Sequence, residues 1–127
     1  MQTWIWVVLV VLVVGWFLWS RRGAGGIQTI QPGELQSKLK QKPQSLHVVD
    51  VREPFEFSGG HISKAKNIPL GSLRNRLADL PKDKEIVFVC RSGNRSMKAA
   101  QIAKKAGMEA IYNLSGGMSR WSGPVKK

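Results

Sequence analysis

Two short apolar runs constrain this chain most. Residues 46–51 and 85–89 are almost continuously hydrophobic, without the polar alternation of a strand that has one wet face. Each is too short for a buried helix, and both are rich in β-branched residues, so both read as strands buried on two sides. Segments with helical spacing surround them. Pro32 suits a first helical turn, Glu34 favours that end, and Leu35 and Leu39 share a face, predicting a helix over 32–40. Leu73, Leu77 and Leu80 predict a second helix, closed by Pro81. Ala99, Ile102, Ala103 and Ala106 line a third, ended by Gly107. Weaker strands are expected at 28–30, 65–68 and 110–114, with a helical turn over 54–57. Strands alternating with helices imply an α/β fold: a parallel sheet covered on both faces. In such sheets ligands bind beyond the carboxyl ends of the strands, where Asp50 and Cys90 stand.

The 127 residues divide by charge. All 20 Lys+Arg and all 8 Asp+Glu follow residue 20. Residues 3–19 form an uncharged apolar run, roughly 25 Å long as a helix, near the lower limit for crossing a bilayer. Trp4 and Trp6 mark one end, Trp16 and Trp19 the other, as in an aromatic belt. The run lacks the basic start and small-residue cleavage site of a signal peptide. The expectation is a single-pass transmembrane anchor over 1–20, in contact with membrane lipid. Arg21 and Arg22 place its N-terminus outside and the rest in the cytoplasm. Residues 21–26 read as a flexible tether and 27–127 as one globular domain. The net charge of +12 invites nucleic acid, but the basic residues are scattered and no nucleic-acid motif accompanies them, so no such partner is expected. No Cys/His cluster suggests a metal, and no cofactor is implied.

The chemistry concentrates in Cys90-Arg91-Ser92-Gly93-Asn94-Arg95-Ser96. The only cysteine lies at a strand end, facing a helix start. Arginines and helix-terminal amides favour its thiolate, the nucleophilic form. Gly93 and Asn94 tolerate left-handed backbone, so the loop can curl its N–H groups inward into an anion nest. Ser92 and Ser96 add hydroxyl donors. A buried cysteine acting as a small hydrophobe is the plain alternative, and this cationic loop argues against it.

The loop resembles the active-site loop of the rhodanese family of sulfurtransferases. Asp50-Val51-Arg52-Glu53, Gly60-His61-Ile62, Ala65-Lys66-Asn67-Ile68-Pro69 and Leu114-Ser115-Gly116-Gly117-Met118 with Trp121 resemble further marks of that family, in the family's order. The apolar N-terminal run lies outside its pattern. The resemblance implies a rhodanese-like five-stranded parallel sheet with helices on both faces. It implies that Cys90 takes a sulfane sulfur as a persulfide from a small anionic donor such as thiosulfate. A thiol, cyanide or a protein acceptor then takes the sulfur. Arg91 to Ser96 would cradle the substrate, with Arg91 and Arg95 binding the anionic donor. Asp50, Arg52 and His61 are expected to be structural neighbours of the site. Glu56, four residues after Arg52, is a candidate partner for it if that turn is helical. Alternatives are a non-catalytic, sulfur-relay or thiol-sensing module at a membrane, and a cysteine phosphatase or arsenate reductase. The last class uses a Cys-x5-Arg loop, whereas four residues separate Cys90 from Arg95.

Overall fold

A computed structural model describes residues 2–24 and 27–127, without the side chains of 19–24. Five parallel strands form the main sheet: β1 (Gln28–Ile30), β2 (Leu46–Asp50), β4 (Lys66–Asn67), β5 (Glu85–Val89) and β6 (Ile111–Leu114), in the order β1-β6-β5-β2-β4. The two apolar runs lie side by side at its centre, registered from Leu46 opposite Glu85 to Asp50 opposite Val89. A second, two-stranded antiparallel sheet joins β3 (His61–Ile62) to β7 (Val125–Lys126).

Strand alternation divides the core in two. Ile86, Phe88 and Cys90 face one layer; Val87 and Val89 face the other, and all five are buried. The first layer contains α4 (Leu73–Arg76) and α5 (Asn94–Lys105). On α5, Ser96, Ala99, Ala100 and Ala103 are wholly buried at helical spacing, and their small side chains let the helix lie close over the sheet. The second layer contains α2 (Pro32–Gln41), whose Leu35 is wholly buried, with Ile62 and Trp121 packed nearby.

The helix expected through Leu73, Leu77 and Leu80 breaks up. After α4 the chain tightens into a 3-10 turn, Leu77–Asp79, and Leu80 is extended ahead of Pro81. A residue before proline is driven out of the helical region, so the last turn cannot stay α-helical. The strand expected over 65–68 shortens to Lys66–Asn67, and the turn at 54–57 forms as α3 (Pro54–Ser58).

The N-terminal run is helical, as α1 (Thr3–Ala24), with exposed side chains from Thr3 to Leu18. The expected membrane-spanning segment is not recovered: among the described residues, no helix is long and apolar enough to cross a membrane. The uncharged part of α1 stops at Ser20, before Arg21 and Arg22, and residues 3–20 span about 27 Å, short of a hydrocarbon core of about 30 Å. The backbone stays helical through Ala24, beyond the start of the expected tether, and residues 25 and 26 lie outside the described residues.

Candidate active site

The site forms where β2 and β5 end side by side. Cys90 follows β5 directly and is almost wholly buried. Its Sγ accepts a hydrogen bond from the Gly93 N–H at 3.0 Å and lies 3.2 Å from Ser96 Oγ. The turn needs Gly93, whose φ is 105°, a left-handed value that L side chains rarely adopt. The loop carbonyls turn outward. Cys90 O accepts from the Met118 N–H at 2.8 Å, and Arg91 O accepts from the Ser119 N–H at 3.0 Å and its hydroxyl at 2.8 Å. With those carbonyls held outside, the Gly93 N–H donates to the sulfur, and the amides of Ser96 and Ser92 favour its anion. The segment behind the loop must approach very closely. A Cβ on Gly117 would stand 2.3 Å from Cys90 O.

Burial pushes the Cys90 thiol up. Hydrogen bonds from the Ser96 hydroxyl and from the amides of Ser96, Gly93 and Ser92 outweigh that, so its pKa lies below the usual thiol value. The thiolate is therefore held chiefly by loop amides and one hydroxyl. The two arginines, expected to supply the charge, are placed differently. Arg91 is exposed. Arg95, in the first turn of α5, points its guanidinium at Glu56 of α3, with Nη1–Oε1 at 2.7 Å and Nη2–Oε2 at 3.0 Å. That pairing raises the Arg95 pKa, and the Cys90 charge contributes to a lesser degree. Asn94 and Ser92 are exposed on the outer side of the turn, while Ser96 is wholly buried.

A buried ion pair fixes the neighbouring loop. Asp50 is wholly buried and Arg52 nearly so. Arg52 Nη2 donates to Asp50 Oδ2 at 2.8 Å, its Nε reaches both carboxylate oxygens, and its backbone N–H donates to Oδ1 at 3.0 Å. Arg52 Nη2 also donates to Gly60 O at 2.7 Å. Asn67 Nδ2 donates to the carbonyls of Asp50 and Arg52. The expected Arg52–Glu56 pair does not form. Arg52 precedes the helix, and Asp50 captures its guanidinium before Glu56 can. Glu56 instead closes a capping box with Glu53 at the start of α3 and reaches across to Arg95. His61 stacks on Phe57 at 3.7 Å between ring centroids, and its Nδ1 lies 2.9 Å from Phe57 O. Those contacts tie His61 to α3.

The sequence profile of the Rhodanese-like domain matches residues 31–124. The chain belongs to the rhodanese-like domain family. It is 45% identical over 83 residues to the uncharacterized protein YqhL of Bacillus subtilis (strain 168), covering 65% of this chain and 66% of that one. It is 37% identical over 100 residues to the putative sulfurtransferase YtwF of the same organism, covering 79% and 95%. A rhodanese-related protein from Thermoplasma volcanium has the same fold, with a TM-score of 0.71 and 33% identity over 78% of this chain and 97% of that one.

Three residues of this rhodanese-like site were not assigned roles in it from sequence. Asn113 on β6 is buried, accepts the Ser96 hydroxyl on Oδ1 and donates from Nδ2 to Gly93 O at 3.3 Å. A lone Asn inside a short apolar strand was its only signal. Gly117 permits the close approach behind the loop, and Glu56 holds Arg95. Among the described residues, no group of three His, Cys, Asp or Glu side chains is placed to hold a metal ion.

Proposed function

We propose that this chain is a sulfurtransferase that carries a sulfane sulfur on Cys90 as a persulfide and hands it to a thiol, cyanide or a protein acceptor. One observation carries the reading: a buried thiol with a depressed pKa, on the floor of a turn whose amides point at the sulfur. With thiosulfate as donor, the Cys90 thiolate attacks the outer sulfur. A new S–S bond forms, the S–S bond to the sulfonate breaks, and sulfite leaves with the electron pair. The outer sulfur of the persulfide keeps the negative charge, in reach of the same donors. Attack on that sulfur by cyanide releases thiocyanate and restores the Cys90 thiolate. The similarity to the putative sulfurtransferase YtwF supports sulfur transfer as the class of reaction.

The test is intact mass after incubation with a sulfane-sulfur donor. The expected result is a gain of one sulfur atom on Cys90, lost again on adding cyanide and absent from Cys90→Ser. No adduct with any sulfane donor would overturn the reading.

We also propose that α1 anchors the chain in a membrane, with the N-terminus outside and the rhodanese-like domain on the cytoplasmic side. The support is the uncharged apolar stretch of α1 from Thr3 to Leu18, whose side chains are exposed. Trp4 is 64% exposed and Trp16 is 66% exposed, and water is a poor solvent for such a surface. In sequence the apolar run continues through Trp19 to Arg21 and Arg22. Retention in the membrane pellet after an alkaline carbonate wash, with protection from protease added outside intact cells, is expected. Release by carbonate, or digestion from outside, would overturn the anchor or its orientation respectively.

A further inference from the structure

The mouth of the Cys90 site is less cationic than its sequence suggests. Arg91 and Arg95 bring two positive charges to the loop. Arg91 is exposed to solvent, which weakens its charge at the sulfur. Glu56 opposes the other, gripping Arg95 by both nitrogens from a different element of the fold. The Arg95 hydrogen bond is the chief influence holding the Glu56 carboxyl at about 2, so it stays ionised at any physiological pH. The Glu56 side chain is 18% exposed and that of Arg95 36%, so water only partly screens the pair. Glu56 is itself braced by the α3 capping box, which keeps the carboxylate aimed at the loop. A dianion entering this site therefore approaches a thiolate and finds the Arg95 fork already occupied by a carboxylate. A donor that presents its sulfur with one negative charge or none meets a much smaller repulsion.

We infer that Glu56 is a specificity-determining residue: by holding Arg95 in a two-point ion pair beside Cys90, it disfavours dianionic donors such as thiosulfate and favours low-molecular-weight or protein persulfides. The inference rests on the sulfur-transfer reading and names the donor class for that site. The corresponding step is balanced without a further reactant. The Cys90 thiolate attacks the outer sulfur of R–S–SH, a Cys90 S–S bond forms, the donor S–S bond breaks, and the donor leaves as R–S⁻, with the proton staying on the transferred sulfur. No sulfite dianion has to be accommodated beside Glu56.

The experiment uses the full chain and two donors, thiosulfate and cysteine persulfide, with sulfur loading of Cys90 followed by intact mass. Glu56→Gln keeps an oxygen for Arg95 but removes the charge. It is expected to raise the ratio of thiosulfate to persulfide loading rates about tenfold, the gain lying in the KM for thiosulfate. Glu56→Asp keeps the charge and should keep the wild-type ratio within about threefold. Adding Arg95→Ala to Glu56→Gln should abolish the gain. A Glu56→Gln chain in which both donors slow together would show a merely structural role and overturn the inference, as would a ratio unchanged from wild type. Loading by neither donor in the wild-type chain would overturn the sulfur-transfer reading itself, and the inference with it.

Discussion

Ser96 and Asn113 share a buried hydrogen bond that links the helix bearing the anion loop to the neighbouring strand. Ser96 gives its proton to Asn113 Oδ1, while the same hydroxyl oxygen lies 3.2 Å from Cys90 Sγ. One hydroxyl proton cannot serve both partners. With a neutral thiol, the Cys90 S–H donates to Ser96 and Ser96 donates to Asn113. With a thiolate, Ser96 turns its proton to the sulfur, and Asn113 gives up a donor. Asn113 stays anchored through its Nδ2 contact to Gly93 O. The state of the sulfur is thus coupled to the geometry of the turn that holds it.

Ser96→Ala should therefore raise the pH at which Cys90 becomes reactive. The Ser96 hydroxyl is the largest of the influences that lower this thiol's pKa against the rise from burial. Removing a donor to the anion favours the protonated form, so the midpoint moves up. The rate of iodoacetamide alkylation against pH measures it directly. An unmoved midpoint would remove Ser96 from the stabilisation of the thiolate. At a pH where the thiol is protonated, the same change also leaves Asn113 Oδ1 without its donor in a buried place, at a cost of about 1–3 kcal/mol in urea unfolding.

Gly117→Ala should damage both stability and reactivity. Its φ of 56° is left-handed, and an added Cβ would meet Cys90 O at 2.3 Å and Arg91 O at 2.8 Å. The backbone carbonyls cannot swing aside as a flexible side chain would, so the loop must shift. A loss of about 2 kcal/mol or more is expected from the overlap and the backbone conformation together. Because the loop amides move with it, Cys90 alkylation at neutral pH should slow as well. A variant as stable and as reactive as wild type would show that this approach is not needed.

The fold was legible where the chemistry is local. The runs that became β2 and β5 were recognisable because both faces are buried and both are apolar. The short strand β3 was not delimited, and β4 was expected two residues too long, since two residues carry little periodicity to fix their ends. The anion loop was readable because Cys90 to Ser96 is contiguous. Its two outside partners were not. Asn113 reaches Ser96 through the pairing of β6 with β5, and Glu56 reaches Arg95 across 39 residues. The expected Arg52–Glu56 pair failed for a related reason. Helical spacing brings residues together only if both lie on the helix, and α3 begins at Pro54.

Asp50→Ala should cost more than a surface ion pair would. The Asp50 and Arg52 side chains are 1% and 9% exposed, and the mutation leaves the guanidinium buried with Gly60 O as its remaining partner. Breaking such a pair from one side destabilises by about 3–5 kcal/mol, against about 1 kcal/mol or less for an exposed pair. Urea unfolding of the full chain measures it. The Arg76–Asp79 pair is the internal comparison. Its side chains are 47% and 61% exposed, and Asp79→Ala should shift the midpoint little. Equal effects of the two variants would contradict the assignment of Asp50 and Arg52 as the brace of this loop.

Acid should expose the Glu56–Arg95 pair in a defined window. The hydrogen bond from Arg95 is the main cause holding the Glu56 carboxyl at about 2, well below its ordinary value of 4.5. A carboxyl whose pKa is depressed on folding stabilises the native state above its unfolded pKa. That contribution is complete above about pH 5, declines as pH falls below the ordinary value, and is gone once pH passes through about 2. Glu56→Gln cannot titrate there. Its Tm should therefore lie below that of wild type at neutral pH, and the gap should narrow from pH 5 towards pH 2. Salt should also narrow the gap at neutral pH, because the pair is partly exposed. A gap constant across that range would mean that the carboxylate charge adds nothing to stability and that only the shape of the side chain matters.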